Sequence, residues 1–371
     1  MNNKSKYINL VIKPTNACNM RCSYCYHSEK GYEAHKMSLK TFEKLCSISM
    51  PYLETMSIIW HGGEPLLMGI DFYKEANKII ESYQSKYPIK VKQSFQSNGT
   101  LLNEEWIDFF KSNNISLGLS FDGLTNEVTR GNTELLLNKF QLLKDLGKRF
   151  GIIQVLNSES IKDVILTYEY YKKLSIDVKF NFIFNAEIIK DKEKMLVPAQ
   201  TYAKHMIEFF DYWIDDENCN ISVDPFNEYI ALYYNKSNSC RHNSCLMHWL
   251  SVDNQGNITP CGRNFPKEYS LGNIVQYADL RDAFSSEGYL KLLDGAVERR
   301  KKCMADCDLY DYCKGGCNND KLLENGITNN GGFSCVVFTE LFKHIQNLFQ
   351  SDVEIKNPKV LKLIRKLNEN K

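Results

Sequence analysis

The sequence predicts an α/β protein whose parallel sheet is followed by a small cysteine-rich segment. Two observations predict it. Up to about residue 215, short β-rich runs alternate with longer amphipathic stretches, and alternation at that spacing means parallel strands joined by right-handed crossovers. After Asn235 the texture changes to Cys, Gly, Asn and short elements, with little apolar material, so metal ligation is the natural substitute for a core. The chain is long enough for both parts: 371 residues, 43% hydrophobic and 25% charged, which allows one large domain or a domain plus a smaller one.

Each element has a local reason. Residues 7–13 read as a strand, and Ser38 caps a helix whose apolar face carries Phe42, Leu45 and Cys46. Residues 56–60 form a buried strand that ends in the turn HGGEP. Asp71 caps the next helix, and residues 89–96 return as a strand. Asn103 caps a helix with Trp106, Phe109 and Phe110 inside, and residues 115–121 form a strand ending in Asp122-Gly123. Residues 133–146, 161–174 and 199–213 read as helices, alternating with strands at 150–156 and 178–184. Six such units form either an open doubly wound sheet or a curved partial barrel. In both, functional residues sit at the C-terminal ends of the strands. A helix at 338–349 and a basic, polar tail at 357–371 close the chain. The expected organisation is a core over 1–215, a bridge over 216–239, a cysteine-rich domain over 240–340, and a helix and tail over 341–371.

Charge and hydropathy narrow the function. Lys plus Arg is 46 and Asp plus Glu is 45, a net charge of +1, which lacks the basic excess of proteins that live on nucleic-acid phosphates. The longest apolar runs fall far below the roughly 18 residues of a membrane span. No signal-peptide pattern is visible, so a cytoplasmic protein is expected, without nucleic acid or membrane as partners.

The 13 cysteines are the anomaly, because a reducing compartment disfavours disulfides. They cluster at Cys18, Cys22 and Cys25 and again between Cys240 and Cys335, leaving Cys46 and Cys219 isolated. Clustered thiolates read first as metal or iron–sulfur ligands. The first group, CNMRCSYC, lies on the loop leaving the first strand. Three thiolates there can hold three irons of a cubane and leave the fourth open. A structural zinc ion needs a fourth ligand, for which His27 lies close by.

This CxxxCxxC motif resembles the radical S-adenosylmethionine (radical SAM) superfamily. The resemblance implies a partial (β/α)6 TIM barrel. It also implies a [4Fe–4S] cluster whose open iron chelates S-adenosylmethionine, and hydrogen abstraction by a 5′-deoxyadenosyl radical. Further stretches fit in order. Gly62, Gly63 and Glu64 look like the GGE motif that holds the amino group of S-adenosylmethionine. Ser97 and Asn98 close the third strand, and Ser120 and Asp122 the fourth, within reach of its ribose and carboxylate. Arg130 is placed to pair with that carboxylate, and Tyr24 to pack near the adenine. The same polar pairs also suit ordinary turns.

The second group resembles the SPASM domain: Cys245, ten residues, Gly256, four residues, Cys261, then Cys307-x5-Cys313-x3-Cys317 and a final Cys335. Cys303 and Cys307 depart from it, with three intervening residues instead of two. The resemblance implies two auxiliary [4Fe–4S] clusters, three clusters in all. Cys240, Cys245, Cys261 and Cys317 would hold one, and Cys303, Cys307, Cys313 and Cys335 the other.

QSNGTLL, LSFDG and CKGGC look especially like the anaerobic sulfatase-maturating enzymes. Those enzymes carry an Asp general base directly after the GxxxxC cysteine, where this chain has Gly262. Crosslinking of a ribosomally made peptide, by a thioether or carbon–carbon bond, is therefore the leading expectation. Formylglycine formation from Cys or Ser comes second, and a non-catalytic zinc-ribbon scaffold a distant third. Expected partners are a precursor peptide or protein and an electron donor such as flavodoxin or ferredoxin. Few residues precede the first strand, so substrate recognition is expected from a separate leader-recognition protein or from a short docking motif in the precursor.

Overall fold

The structure, a computed structural model, describes residues 5–25, 34–183, 192–237, 239–242, 245–350 and 357–369. In chain order its elements begin β1 (Tyr7–Ile12), α1 (Leu39–Ser49), β2 (Thr55–Trp60), α2 (Ile70–Gln84), β3 (Lys90–Ser97), α3 (Glu104–Ser112), β4 (Ser116–Ser120), α4 (Asn126–Thr129) and α5 (Thr133–Asp145). They continue with β5 (Gly151–Leu156), α6 (Val164–Leu174), β6 (Asp177–Phe182), α7 (Lys192–Met195), α8 (Ala199–Asp215), β7 (Val223–Asp224), α9 (Phe226–Tyr233), β8 (Trp249–Val252) and β9 (Ile258–Thr259). The last are α10 (Glu287–Asp306), α11 (Tyr310–Cys313), α12 (Asn318–Glu324), α13 (Phe333–Gln350) and α14 (Pro358–Glu369).

The chain divides into two compact units. The first comprises Met1–Ser120, Arg130–Phe150 and Cys245–Asp294. Its strands run β4-β3-β2-β1-β8, all parallel, with β9 antiparallel at the edge of β8. Every second residue of β2 is buried, and β1 is buried almost throughout, as a sheet covered on both faces requires. The core is aromatic around Trp60, with Tyr73 5.1 Å away edge-on and Phe42 at 5.3 Å. Ser38 and Asn103 cap α1 and α3 as expected, accepting from Thr41 N and Trp106 N at 3.0 Å. Asp71 does not cap α2: that helix starts at Ile70 behind Gly69, and Asp71 sits within its first turn. The stretch expected to open the cysteine-rich domain supplies β8 and β9 to this sheet.

The second unit comprises Phe121–Thr129, Gly151–Ser244 and Gly295–Lys371. In it β6 pairs in parallel with β5 and with β7. Phe209 and Phe226 pack at 4.7 Å, and Phe338 stacks on Phe342 at 5.0 Å. Two expectations need correcting here. The last long helix begins at Phe333 rather than 338, which puts Cys335 in its first turn. The polar tail contains a helix, α14, because Val360, Leu363, Ile364 and Leu367 recur at helical spacing and Val360 is fully buried.

Candidate functional site

The site in the first unit begins with backbone. The loop after β1 lies directly on the turn after β2: Gly63 N donates to Thr15 O at 3.1 Å and Glu64 N to Ala17 O at 2.7 Å. This approach needs the glycine pair. A Cβ on Gly63 would stand 2.0 Å from Ala17 O, and one on Gly62, at φ +118°, 2.6 Å from Thr15 O. The GGE turn is thus the clamp that holds the loop entering Cys18.

Glu64 closes the clamp. It is 1% exposed, and its Oε1 accepts from Ser97 Oγ at 2.8 Å and Leu66 N at 3.0 Å. Its Oε2 accepts from Asn98 N at 2.7 Å. Burial pushes its acidity down, raising the carboxyl pKa, while these hydrogen bonds and Arg130 pull the other way. Three of about four acceptor positions are engaged, leaving one for an ammonium group. Asn98 carries the network on to the cysteine loop, donating to Asn19 Oδ1 at 2.9 Å and reaching Cys18 Sγ at 3.9 Å. Met20 N also donates to Cys18 Sγ, at 3.4 Å. Gly62, Gly63, Glu64, Ser97, Asn98 and Cys18 are therefore brought together.

Cys22 and Cys25 follow on the same half-buried loop, joined by Cys25 N to Cys22 O at 3.2 Å. Tyr24, between them, is buried, and Arg130 Nη1 donates to its hydroxyl at 2.7 Å. These two residues, singled out separately, form one pair. Ser120 accepts from Gln96 Nε2 at 2.9 Å. His27 lies outside the described residues.

Asp122 belongs to the second unit, and there its carboxylate is used for structure. Oδ1 accepts from Val155 N at 3.1 Å and Oδ2 from Thr129 Oγ1 at 2.7 Å, and the residue is fully buried. Those bonds tie its turn to β5.

Sequence reasoning missed two basic residues in the first unit. Lys13 follows β1, and burial lowers its pKa to about 8, with Cys261 and Asp253 opposing the shift. His61 follows β2, and burial, then Lys13, lower its pKa to about 4. Its Nδ1 accepts from Gly62 N at 2.7 Å. The signal was present: each is a basic residue ending an apolar strand, in LVIKP and SIIWH. Gly262 lies against β1, and a Cβ there would stand 2.8 Å from Val11 Cγ1.

In the second unit Cys303, Cys307, Cys313, Cys317 and Cys335 line one cavity of about 50 Å³. The unexpected spacing of Cys303 and Cys307 has a cause. Cys303 lies in the last turn of α10, and Cys307 N continues the helical bonding to Cys303 O at 3.0 Å. Three intervening residues give the i, i+4 relation that puts both on one helix face. Gly315 and Gly316, at φ +86° and +71°, turn the chain between Cys313 and Cys317, and a Cβ on Gly316 would stand 3.8 Å from Cys313 Sγ. Cys240 is exposed in this unit, while Cys245 and Cys261 belong to the first. No disulfide joins any of the 13 cysteines. Among the described residues no three Cys, His, Asp or Glu side chains close on a point as ligands of a single ion do. Sulfurs that accept hydrogen bonds on glycine-shaped loops suit iron–sulfur ligation.

Comparison with known proteins adds the following. Residues 12–171 match the radical SAM superfamily. The chain is similar to the cysteine-type anaerobic sulfatase-maturating enzyme of Clostridium novyi, with 26% identity over 91% of this chain and 94% of that one. It is also similar to the serine-type enzyme of Bacteroides thetaiotaomicron, with 24% identity over 92% and 90%. Among solved structures, anSMEcpe with bound AdoMet superimposes with a TM-score of 0.84 at 24% identity, covering 97% of this chain and 98% of that one. Streptococcus suis SuiB bound to precursor peptide SuiA gives 0.63 at 19% identity, covering 88% and 76%. These likenesses establish the fold. No described helix is long and apolar enough to cross a membrane.

Proposed function

Since the chain is a radical SAM enzyme homologous to the anaerobic sulfatase-maturating enzymes, we propose that it oxidises a cysteine or serine of a protein substrate to formylglycine. The observation that carries this reading is coverage. Likeness to the cysteine-type enzyme extends over 91% of the chain, so it includes the C-terminal cysteines as well as the radical SAM domain. This reverses the ranking drawn from Gly262, which placed peptide crosslinking first.

When bound, the [4Fe–4S] cluster and S-adenosylmethionine supply a radical able to take a hydrogen atom from an unactivated carbon. The chain's own groups would prepare that event. Cys18, Cys22 and Cys25 would hold the cluster. The GGE turn with Ser97 and Asn98 would hold S-adenosylmethionine, Glu64 offering its remaining acceptor position to the amino group. Arg130, braced by Tyr24, would face the carboxylate, and Ser120 would supply a hydroxyl. For a cysteine substrate, Cβ loses one hydrogen atom and the side chain then loses one proton and one electron, which leaves a carbon–sulfur double bond. Water converts this to the aldehyde and releases hydrogen sulfide. The C-terminal cysteines would hold the acceptor for that electron, in one or two auxiliary clusters. A flavodoxin or ferredoxin would supply the electron that starts the cycle.

Crosslinking stays as a second reading because no carboxylate follows Cys261, and Val11 fills the space beside Gly262. It would call for a precursor peptide and a separate leader-recognition protein. The test separates the two. The reconstituted enzyme is given S-adenosylmethionine, a reductant and a peptide carrying Cys or Ser. Formylglycine formation yields a product that hydroxylamine captures. A peptide that loses hydrogen but has no capturable aldehyde would overturn the first reading in favour of the second.

A further inference from the structure

Arg299 is 0% exposed, the largest fully buried charged side chain among the described residues. Its Nε donates to Gly315 O at 3.0 Å, Nη1 to Ile327 O at 2.5 Å and Nη2 to Asn318 Oδ1 at 2.6 Å. All three acceptors are neutral, and Arg299 makes no ion pair among the described residues. A buried charge in that state is costly unless something nearby is negative.

The surroundings name that something. Arg299 stands one helical turn before Cys303 on α10, so the row 299, 303, 307 shares a face. Two of its bonds grip the chain on either side of Cys317, at Gly315 and Asn318. Cys303, Cys317 and Cys313 are the groups whose negative charge supports its protonated form against burial.

The other charged groups around this cavity cancel in pairs. Arg241 reaches Asp320 at 3.5 Å, and Lys321 reaches Glu324 at 3.3 Å while also donating to Ser334 Oγ and Gly331 O. His242 bonds Glu228 at 2.8 Å. Arg299 has no carboxylate partner among the described residues, and Arg300 beside it disfavours its charge further, which leaves the thiolates as the groups that offset it.

We propose that Arg299 is a positioning residue for redox chemistry: a fixed, dry positive charge that makes the metal centre held by the C-terminal cysteines easier to reduce. Thiolate-bound iron gains one negative charge when it takes up one electron, with no bond made or broken. A buried cation favours that form, and net charge and burial are the levers that set such potentials. The inference rests on the reading that these cysteines hold an iron–sulfur cluster. It adds which residue sets the centre's electron affinity.

The test is a dithionite titration followed by electron paramagnetic resonance. It uses full-length protein in which Cys18, Cys22 and Cys25 are replaced by Ala, so that only the C-terminal cysteines hold iron. Arg299→Gln should lower the midpoint by at least the equivalent of a tenfold shift in the reduction equilibrium, 59 mV for one electron. Arg299→Lys, which keeps the charge and loses the fork, should stay near the parent. Asn318→Asp is the control for folding: it keeps the acceptor for Nη2 and the shape, adds a compensating negative charge, and should lower the midpoint like Arg299→Gln. A purely structural Arg299 predicts the opposite ranking, with Lys as damaging as Gln and Asp harmless. If Asn318→Asp holds its iron at an unchanged midpoint, the proposal is overturned. A parent protein that binds no iron at these cysteines would instead sink the reading beneath it.

Discussion

The Cys18 thiol is influenced by a backbone amide, a neutral side-chain amide and the buried carboxylate of Glu64, while Arg21 Nη1 donates to the Cys18 carbonyl at 3.0 Å; around Cys303 and Cys313 the neighbours include the buried cations Arg299 and Lys321. Burial raises the thiol pKa at all three, Cys313 to about 12. At Cys18 the carboxylate adds to that rise, whereas at the C-terminal pair the cations oppose it. A negative surrounding disfavours an added electron and a positive one favours it. The two groups of cysteines therefore differ in the charged side chains that bear on their sulfurs. They also differ in how they are shaped: the first by backbone clamped on backbone, the second by side chains that pin a glycine-rich loop.

The contrast can be broken from the clamp side. Gly63→Ala places a methyl group 2.0 Å from Ala17 O, where backbone cannot yield cheaply. The expected cost exceeds about 4 kcal/mol. Iron at Cys18, Cys22 and Cys25 and 5′-deoxyadenosine formation should both be lost, while iron at the C-terminal cysteines is retained. Equal loss at both sites would show that the clamp is not local.

On the other side, Glu324→Gln leaves Lys321 buried with its carboxylate partner gone. Both side chains are at most 10% exposed, so the expected loss is about 3 kcal/mol, read as a lower thermal midpoint. The variant should also move the C-terminal midpoint upward, since it frees a cation.

His61 sharpens the comparison through pH. Its folded value near 4 lies below the ordinary 6.5. Between those values the unfolded chain binds a proton that the folded chain refuses. Stability is therefore complete above about pH 6.5 and is lost as pH falls toward 4, by about 3 kcal/mol. His61→Gln keeps an acceptor for Gly62 N and should flatten that limb of a thermal-midpoint profile.

The smallest effect concerns Gly262. Gly262→Asp should destabilise by about 2 kcal/mol because Val11 occupies the space. Adding Val11→Ala should return about 1 kcal/mol, measured by denaturant unfolding. If the double variant also speeds aldehyde formation, the missing carboxylate was the limit on that chemistry.

Much of the site was legible because its signals are local. Cysteine spacing singled out CNMRCSYC, the resemblance it carries pointed to HGGEP, and strand–helix alternation put both at strand ends. Ser38 and Asn103 cap their helices because an N-cap needs only its own next turn. What was not legible involved partners far along the chain. Glu64 reads from sequence as a ligand for an ammonium group, yet most of its carboxylate is taken by residues 97 and 98. Asp122 reads from sequence as reaching the ribose or carboxylate of S-adenosylmethionine, yet its carboxylate is tied to β5 and Thr129. Nothing near Arg130 in sequence points to Tyr24.

By itself the sequence determined the chemistry on offer: which loops carry thiolates, in what order, and that an α/β sheet presents the first of them. Those properties follow from residue type and short-range periodicity, which act over a few positions. Only the tertiary structure decided what each charge is for. Whether a buried carboxylate or guanidinium meets a ligand, a backbone amide or a thiolate depends on which distant segment desolvates it, and no local pattern records that choice.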